Sequence, residues 1–139
     1  MSLRYLLDTN MLSEPIKPQP KPGFIRKFRA SRDRMAIAVT TWHEALFGMH
    51  RMPLGKRRQA IHDYLFDVIA GTLPVLPYDA AAAEWHAIER ARLGARGKTL
   101  PFADGQIAAI AKVHGLTVVT ANRKDFEHFE GIETESWLS

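Results

Sequence analysis

The sequence predicts a three-layer α/β/α domain around a central parallel sheet of four to five short strands. Three observations predict it. The strand candidates are short apolar runs without polar alternation, helical stretches separate them, and no linker, repeat or low-complexity segment interrupts the series. Strands buried on both faces read as unbroken apolar runs, and a parallel sheet needs a crossover between successive strands. The 139 residues form one domain spanning 1–139, a length at which roughly two-thirds of the unfolded surface is buried.

The elements follow in order. Leu3 to Leu7 is an apolar run ending at Asp8, a buried strand. Pro15, Pro18, Pro20 and Pro22 make a basic, irregular connection, and Gly23 to Ala30 has the look of a short helix. Met35 to Val39 is a second strand. A helix is expected from Thr41, since Trp42, Ala45, Leu46 and Met49 recur at i, i+3, i+4 and i+7. Pro53 and Gly55 end it. Lys56 to Ala70 resumes helical spacing, with Ile61, Tyr64, Leu65, Val68 and Ile69 on one stripe. Val75 and Leu76, bracketed by Pro74 and Pro77, make a brief strand. Asp79 is placed to cap an alanine-rich helix running to about Leu93. After a basic loop, 94–100, Pro101 starts a helix that reaches His114 and stops at Gly115. Thr117 to Thr120 is the clearest strand, and Ile132 to Thr134 a short last one.

Composition excludes several classes. There is no cysteine, so a disulfide scaffold, a thiolate metal site and a cysteine nucleophile are ruled out. That usage fits a reducing compartment, and a cytoplasmic location is expected. No apolar run approaches a membrane span, so no membrane partner is expected. The net charge of +4 is uneven. Residues 1–60 hold twelve Lys/Arg against four Asp/Glu, and residues 61–139 hold seven against eleven. A basic half suits a polyanionic partner, while an acidic half needs something for its acids to hold.

Four acids stand where a parallel sheet places its ligands, beyond the carboxyl ends of its strands. Asp8 follows the first strand, and Glu44 lies early in the helix after the second. Asp104 lies in the first turn of the helix starting at Pro101, and Asp125 follows the Thr117–Thr120 strand. Each has a structural reading. Thr41 and Glu44 have capping-box spacing, Asp104 suits a helix N-terminus, and Asp8 and Asp125 suit caps or Asx turns. Asp104, however, shares its stripe with Ile107, Ala108 and Ala111 and so points inward, where an unpaired carboxylate is costly. Acids gathered at short range repel unless a cation sits among them. A site of oxygen donors alone suits Mg²⁺ or Mn²⁺.

At this point the residues resemble a family. Leu6-Leu7-Asp8-Thr9-Asn10-Met11-Leu12-Ser13-Glu14 is similar to the opening of PIN-domain proteins of the VapC toxin type. The likeness continues in Thr41-Trp42-His43-Glu44, in Pro101-Phe102-Ala103-Asp104-Gly105-Gln106-Ile107-Ala108, and in Val119-Thr120-Ala121-Asn122-Arg123-Lys124-Asp125-Phe126. It covers essentially the whole chain in order; the ordered set is specific, though no single tetrapeptide is. The resemblance implies a PIN-like fold and an Mg²⁺- or Mn²⁺-dependent endoribonuclease, the toxin of a toxin–antitoxin pair, with transfer RNA the commoner substrate. It implies that Asp8, Glu44, Asp104 and Asp125 form the metal site, and that Asn10, Thr120 and Asn122 orient the acids or bind water. It also implies a VapB-like antitoxin as inhibitor and a homodimer. The alternative is a module like FitB, acting in a DNA-bound complex with its partner and with little or no turnover.

Basic side chains should line the approach to such a site. Arg96 and Lys98 precede Asp104, and Arg123 and Lys124 precede Asp125, so these four are the expected RNA phosphate contacts. The groove for an inhibitor's amphipathic segment is expected at Ile61, Leu65 and Val68 with Trp42 and Met49.

Overall fold

The structure is a computed structural model that describes residues 2–138; residues 1 and 139 of the expected domain lie outside the described residues. Five parallel strands form its centre: β1 (Tyr5–Leu7), β2 (Met35–Ala38), β3 (Val75–Leu76), β4 (Thr117–Val119) and β5 (Thr134–Glu135). Their order is β3-β2-β1-β4-β5. The first strand is therefore central, with Leu7 in register with Ile37 on one side and Val119 on the other.

Helices cover both faces, as the sequence predicts. Alternate strand residues point to opposite sides. Leu6, Ala36, Ala38 and Val118 pack against Ala82 and Leu93 of α6 (Ala80–Ala95) and against Ile107, Ala108, Ile110 and Ala111 of α7 (Phe102–His114). Tyr5, Leu7, Met35, Ile37 and Val119 face the other way. They meet Met11 and Leu12 of α1 (Thr9–Leu12), Phe24 of α2 (Pro22–Ala30) and Met49 of α3 (Val39–His50), together with Leu65, Ile69 and Trp137. The unbroken apolar runs of the sequence thus feed two cores at once.

The predicted punctuation holds. The Asp79 carboxylate accepts from the Ala82 N–H at 3.0 Å and caps α6. Gly115 ends α7 with φ 65°, in the left-handed region where a side chain is costly. Glu14 is buried under the proline-rich connection, accepting from the Lys21 N–H and the Lys17 ammonium, both at 2.9 Å.

Four details depart from expectation. Helix α3 begins at Val39, so Thr41 lies inside its first turn and the Thr41–Glu44 capping box does not form. The Thr41 hydroxyl is buried and, among the described residues, has no hydrogen-bond partner. Thr41→Val, which keeps the shape and deletes that orphan, is expected to raise stability by about 1 kcal/mol; an unchanged or lower thermal midpoint would refute this. The helix starting as α4 (Lys56–Asp63) runs through a π-helical stretch, Tyr64–Ile69, into α5 (Ala70–Thr72). The wider π turn shifts the stripe, burying Leu65 and Ile69 and leaving Val68 exposed. The last strand is Thr134–Glu135 rather than Ile132–Thr134, because Ile132 packs against the α6–α7 core instead. The first strand is also shorter than its apolar run, beginning at Tyr5.

Candidate active site

The strand order reverses beside β1, and the crevice between the carboxyl ends of β1 and β4 is where such a sheet offers a site. Asp8 leaves β1 there, held by the Asp8 N–H donating to the Val119 carbonyl at 2.9 Å. A continuous hydrogen-bonded chain then joins three of the four acids. Asn122 Nδ2 donates to Asp125 Oδ1 at 3.1 Å, and the Asn122 N–H donates to Thr120 Oγ1 at 3.1 Å. Thr120 Oγ1 donates to Asp8 Oδ2 at 2.9 Å, and the Thr9 N–H donates to Asp8 Oδ1 at 2.8 Å. Thr9 Oγ1 closes the series on Glu44 Oε1 at 2.9 Å.

Asp104 is the fourth member, reached through space rather than by a hydrogen bond. It lies half-buried in the first turn of α7. Burial, then the charges of Asp125, Asp8 and Glu44, push its carboxyl up to about 6. The two helix starts that carry Glu44 and Asp104 are tied together, since Thr40 Oγ1 donates to Gln106 Oε1 at 3.1 Å. Next to Asp104, Gly105 allows the His86 ring to approach so closely that a β-carbon there would collide with it.

All four sequence-predicted acids therefore come to one edge of the sheet. Thr120 and Asn122 hydrogen-bond Asp8 and Asp125 directly. Asn10 does not: it is exposed, its carbonyl accepts from Ser13 Oγ at 3.2 Å, and among the described residues its side chain makes no hydrogen bond. The adjacent Thr9 does that work and was missed, although a hydroxyl directly after Asp8 was its signal. Among the basic residues, Lys98 lines a pocket beside α7. Arg96 is exposed at the C-cap of α6. Arg123 is turned away: its Nε donates to Thr134 Oγ1 at 2.9 Å, and with Lys124 it borders a hollow shared with Glu127, Glu133 and Glu135.

What the edge can do chemically follows from its donors. It offers carboxylate, hydroxyl and amide oxygens, and no cysteine or histidine belongs to the chain of contacts. Among the described residues no three His, Asp or Glu side chains stand close enough to hold one ion as they lie. Asp8, Glu44 and Asp125 are each held instead by a neighbouring hydroxyl, amide or backbone N–H. Donor type and mutual repulsion nevertheless fit a hard divalent cation, because the charges that raise Asp104 are those a cation would offset.

An apolar groove of about 230 Å³ opens beside Thr9 and Glu44, lined by Leu12, Ile16, Met49, Ile61 and Leu65. Of the residues expected to form it, Met49, Ile61 and Leu65 do. Val68 borders a different hollow, with Arg29 and Leu73. Trp42 packs edge-on against Phe66, with ring centroids 5.5 Å apart.

Comparison with known proteins gives a consistent picture. The PIN domain family model matches residues 5–132. The chain is 33% identical over 136 residues to the tRNA(fMet)-specific endonuclease VapC of Shigella flexneri, covering 97% of this chain and 98% of that protein. It is 33% identical over 126 residues to toxin FitB of Neisseria gonorrhoeae, covering 87% of this chain and 89% of FitB. The crystal structure of DNA-bound VapBC from Salmonella typhimurium superposes with a TM-score of 0.82 at 31% identity, covering 97% of this chain and 98% of that one.

Proposed function

The chain belongs to the PIN-domain family as a VapC-type toxin, an endoribonuclease of a toxin–antitoxin system, and from that premise we propose that it is metal-dependent and that Asp8, Glu44, Asp104 and Asp125 hold Mg²⁺ or Mn²⁺. The observation that carries this reading is the hydrogen-bonded chain from Asp125 through Asn122, Thr120, Asp8 and Thr9 to Glu44, facing Asp104. Such a cation lowers the pKa of water and neutralises charge on a phosphodiester. The residues of the chain prepare the place for it. Thr120 and Thr9 fix the Asp8 and Glu44 carboxylates in orientation, and each carboxylate oxygen keeps lone-pair capacity beyond the one hydrogen bond it accepts. Asp104, raised to about 6, gives up its proton near neutral pH.

The substrate class we assign is RNA, with transfer RNA favoured by the name of the Shigella relative. Lys98 is the phosphate contact best supported of those read from the sequence. For a partner we propose a VapB-like antitoxin whose amphipathic segment lies in the groove of Leu12, Ile16, Met49, Ile61 and Leu65. An Arg from that segment can reach Glu44 at the groove's end, in bidentate fashion. The toxin is assigned as a homodimer located in the cytoplasm; among the described residues no helix is long and apolar enough to cross a membrane. Likeness to the DNA-bound VapBC of Salmonella typhimurium supports a second reading, in which the chain acts in a DNA-bound complex with its antitoxin-like partner and with little or no turnover.

The test is cleavage of transfer RNA by the purified chain with Mg²⁺ or Mn²⁺, with chelator, and with Asp8→Asn. Cleavage is expected only with metal and the intact acid. Full-rate cleavage in excess chelator would refute the metal-dependent mechanism, and a chain monomeric in light scattering at tens of micromolar would refute the dimer.

A further inference from the structure

Phe102 begins α7, two residues before Asp104, and 49% of its surface is open to solvent. A lone exposed phenylalanine is ordinary. This one is held in place and flanked by cations. Its ring lies 4.7 Å, centroid to centroid, from the buried His86 ring. It lies 6.4 Å from Tyr78, edge to face. The Tyr78 hydroxyl and His86 Nδ1 are hydrogen-bonded at 2.8 Å, which fixes both rings behind Phe102. The Arg90 guanidinium stands 5.2 Å from the Phe102 centroid, and among the described residues it makes no salt bridge. A pocket of about 150 Å³ opens beside it, lined among others by His86, Arg90, Lys98 and Thr99.

A rigid aromatic ring, a guanidinium lying over it without a salt-bridge partner among the described residues, and a basic pocket are the parts of a single-nucleotide subsite. Unpaired bases stack on aromatic rings and Arg planes, and phosphates take Lys and Arg. Helix geometry sets the spacing. Residues i and i+2 have Cα atoms on the order of 5 Å apart and point about 200° apart, so the ring lies on the opposite flank of the α7 start from Asp104, a helix diameter (~10 Å) across. That offset suits a nucleotide next to the phosphate being cut.

Building on the ribonuclease reading, we propose that Phe102 is a base-stacking platform for the nucleotide adjacent to the scissile phosphate, with Arg90 and Lys98 holding that nucleotide's own phosphate. His86 and Tyr78 are its support. A purine fits the open face better than a pyrimidine because it covers more of the ring. The platform makes the chain choose single-stranded RNA, since a paired base is not free to stack.

The experiment starts from a single-stranded RNA that the wild-type chain cleaves at a mapped position. A series of that RNA with one abasic site moved along it is then titrated by fluorescence anisotropy against Asp8→Asn protein, which stays bound without cutting. One abasic position next to the cleavage site is expected to weaken binding about tenfold. Adding Phe102→Leu should remove that penalty by weakening binding of the intact RNA by the same factor, while Phe102→Trp retains it. Arg90→Gln should weaken all RNAs alike and flatten the salt dependence by about one phosphate's worth. Cleavage by wild type with an abasic profile unaltered by Phe102→Leu would overturn the platform while leaving the nuclease reading intact. So would a Phe102→Leu effect confined to oligomeric state in light scattering, which would mark the ring as an interface with a second copy. Failure of the wild type to cleave any RNA would overturn both.

Discussion

Asp104→Asn is expected to leave the chain folded, to raise its melting temperature at pH 8 by about 3 °C, and to lower RNA cleavage by about a thousandfold. The activity loss follows from removing the acid on which the charges of the other three converge, at a site proposed to act through charge neutralisation and water activation. The gain in stability has the same origin. Burial and three neighbouring carboxylates hold Asp104 at about 6, above the 3.8 of an unfolded aspartate. The folded chain therefore binds that proton more tightly than the unfolded chain does. Its stabilising contribution is complete below about pH 4 and is lost as pH rises through 6. Without metal the wild type should thus melt lower at pH 8 than at pH 5, and the Asn variant should lack that decline. Because Asp104 is only half-buried, solvent screening limits the effect to about 1 kcal/mol, which is a few degrees for a domain of this size. Thermal melts in chelator across this pH range decide the matter. A variant that loses its transition together with its activity would mark Asp104 as a structural residue.

Glu89→Ala is expected to cost about 2 kcal/mol and to leave the acids untouched. Glu89 is buried on α6, accepting from Arg92 Nε and Nη2 at 2.8 Å and from the Glu130 N–H at 2.7 Å. Arg92 also donates to the His128 carbonyl at 2.9 Å, so the pair clamps the segment leading to β5. The Arg92 hydrogen bonds, then the Glu130 N–H, hold the Glu89 carboxyl below the usual carboxylate range, against the opposing effect of burial. Its contribution is therefore present above pH 4.5 and lost as pH falls through its lowered folded value. Chemical denaturation at pH 7 and pH 3 should show the variant and wild type far apart at the first and closer at the second. Equal midpoints at pH 7 would end the idea. The two acids, Asp104 and Glu89, thus bend the stability profile in opposite directions.

Much of this was legible in the residues, and the exceptions are instructive. The strands were readable because a strand covered on both faces leaves an unbroken apolar run, as in Met35–Ala38. Helix ends were readable where one residue type is chemically forced, at Asp79 and at Gly115. The acids were readable because each follows a strand or lies within the first two turns of a helix, and the topology gathers those places. Thr41–Glu44 misled because capping needs extended backbone at the cap, and spacing alone does not show that α3 starts two residues earlier. The π-helical stretch from Tyr64 left no trace, since a change of hydrogen-bond register preserves the residue types and moves only the face they share. Asn10 and Thr9 differ by one position along the chain, yet only Thr9 faces Glu44. Arg123 is the complementary case: its Nε is held by Thr134, eleven residues further on, which local sequence does not show.

The central place of β1 has a consequence in time. A ribosome delivers Asp8 early, but the strand that completes its surroundings, β4, ends at Val119, and Thr120 is separated from Asp8 by 112 positions. Until that last stretch has emerged, β1 has a neighbour on one side only, and the carboxylate lacks its hydroxyl donor. A half-made chain therefore carries Asp8 and Glu44 without Asp104, Thr120 and Asp125 beside them. The delay is written into the strand order: the four acids come to one edge only once nearly the whole chain is available to fold.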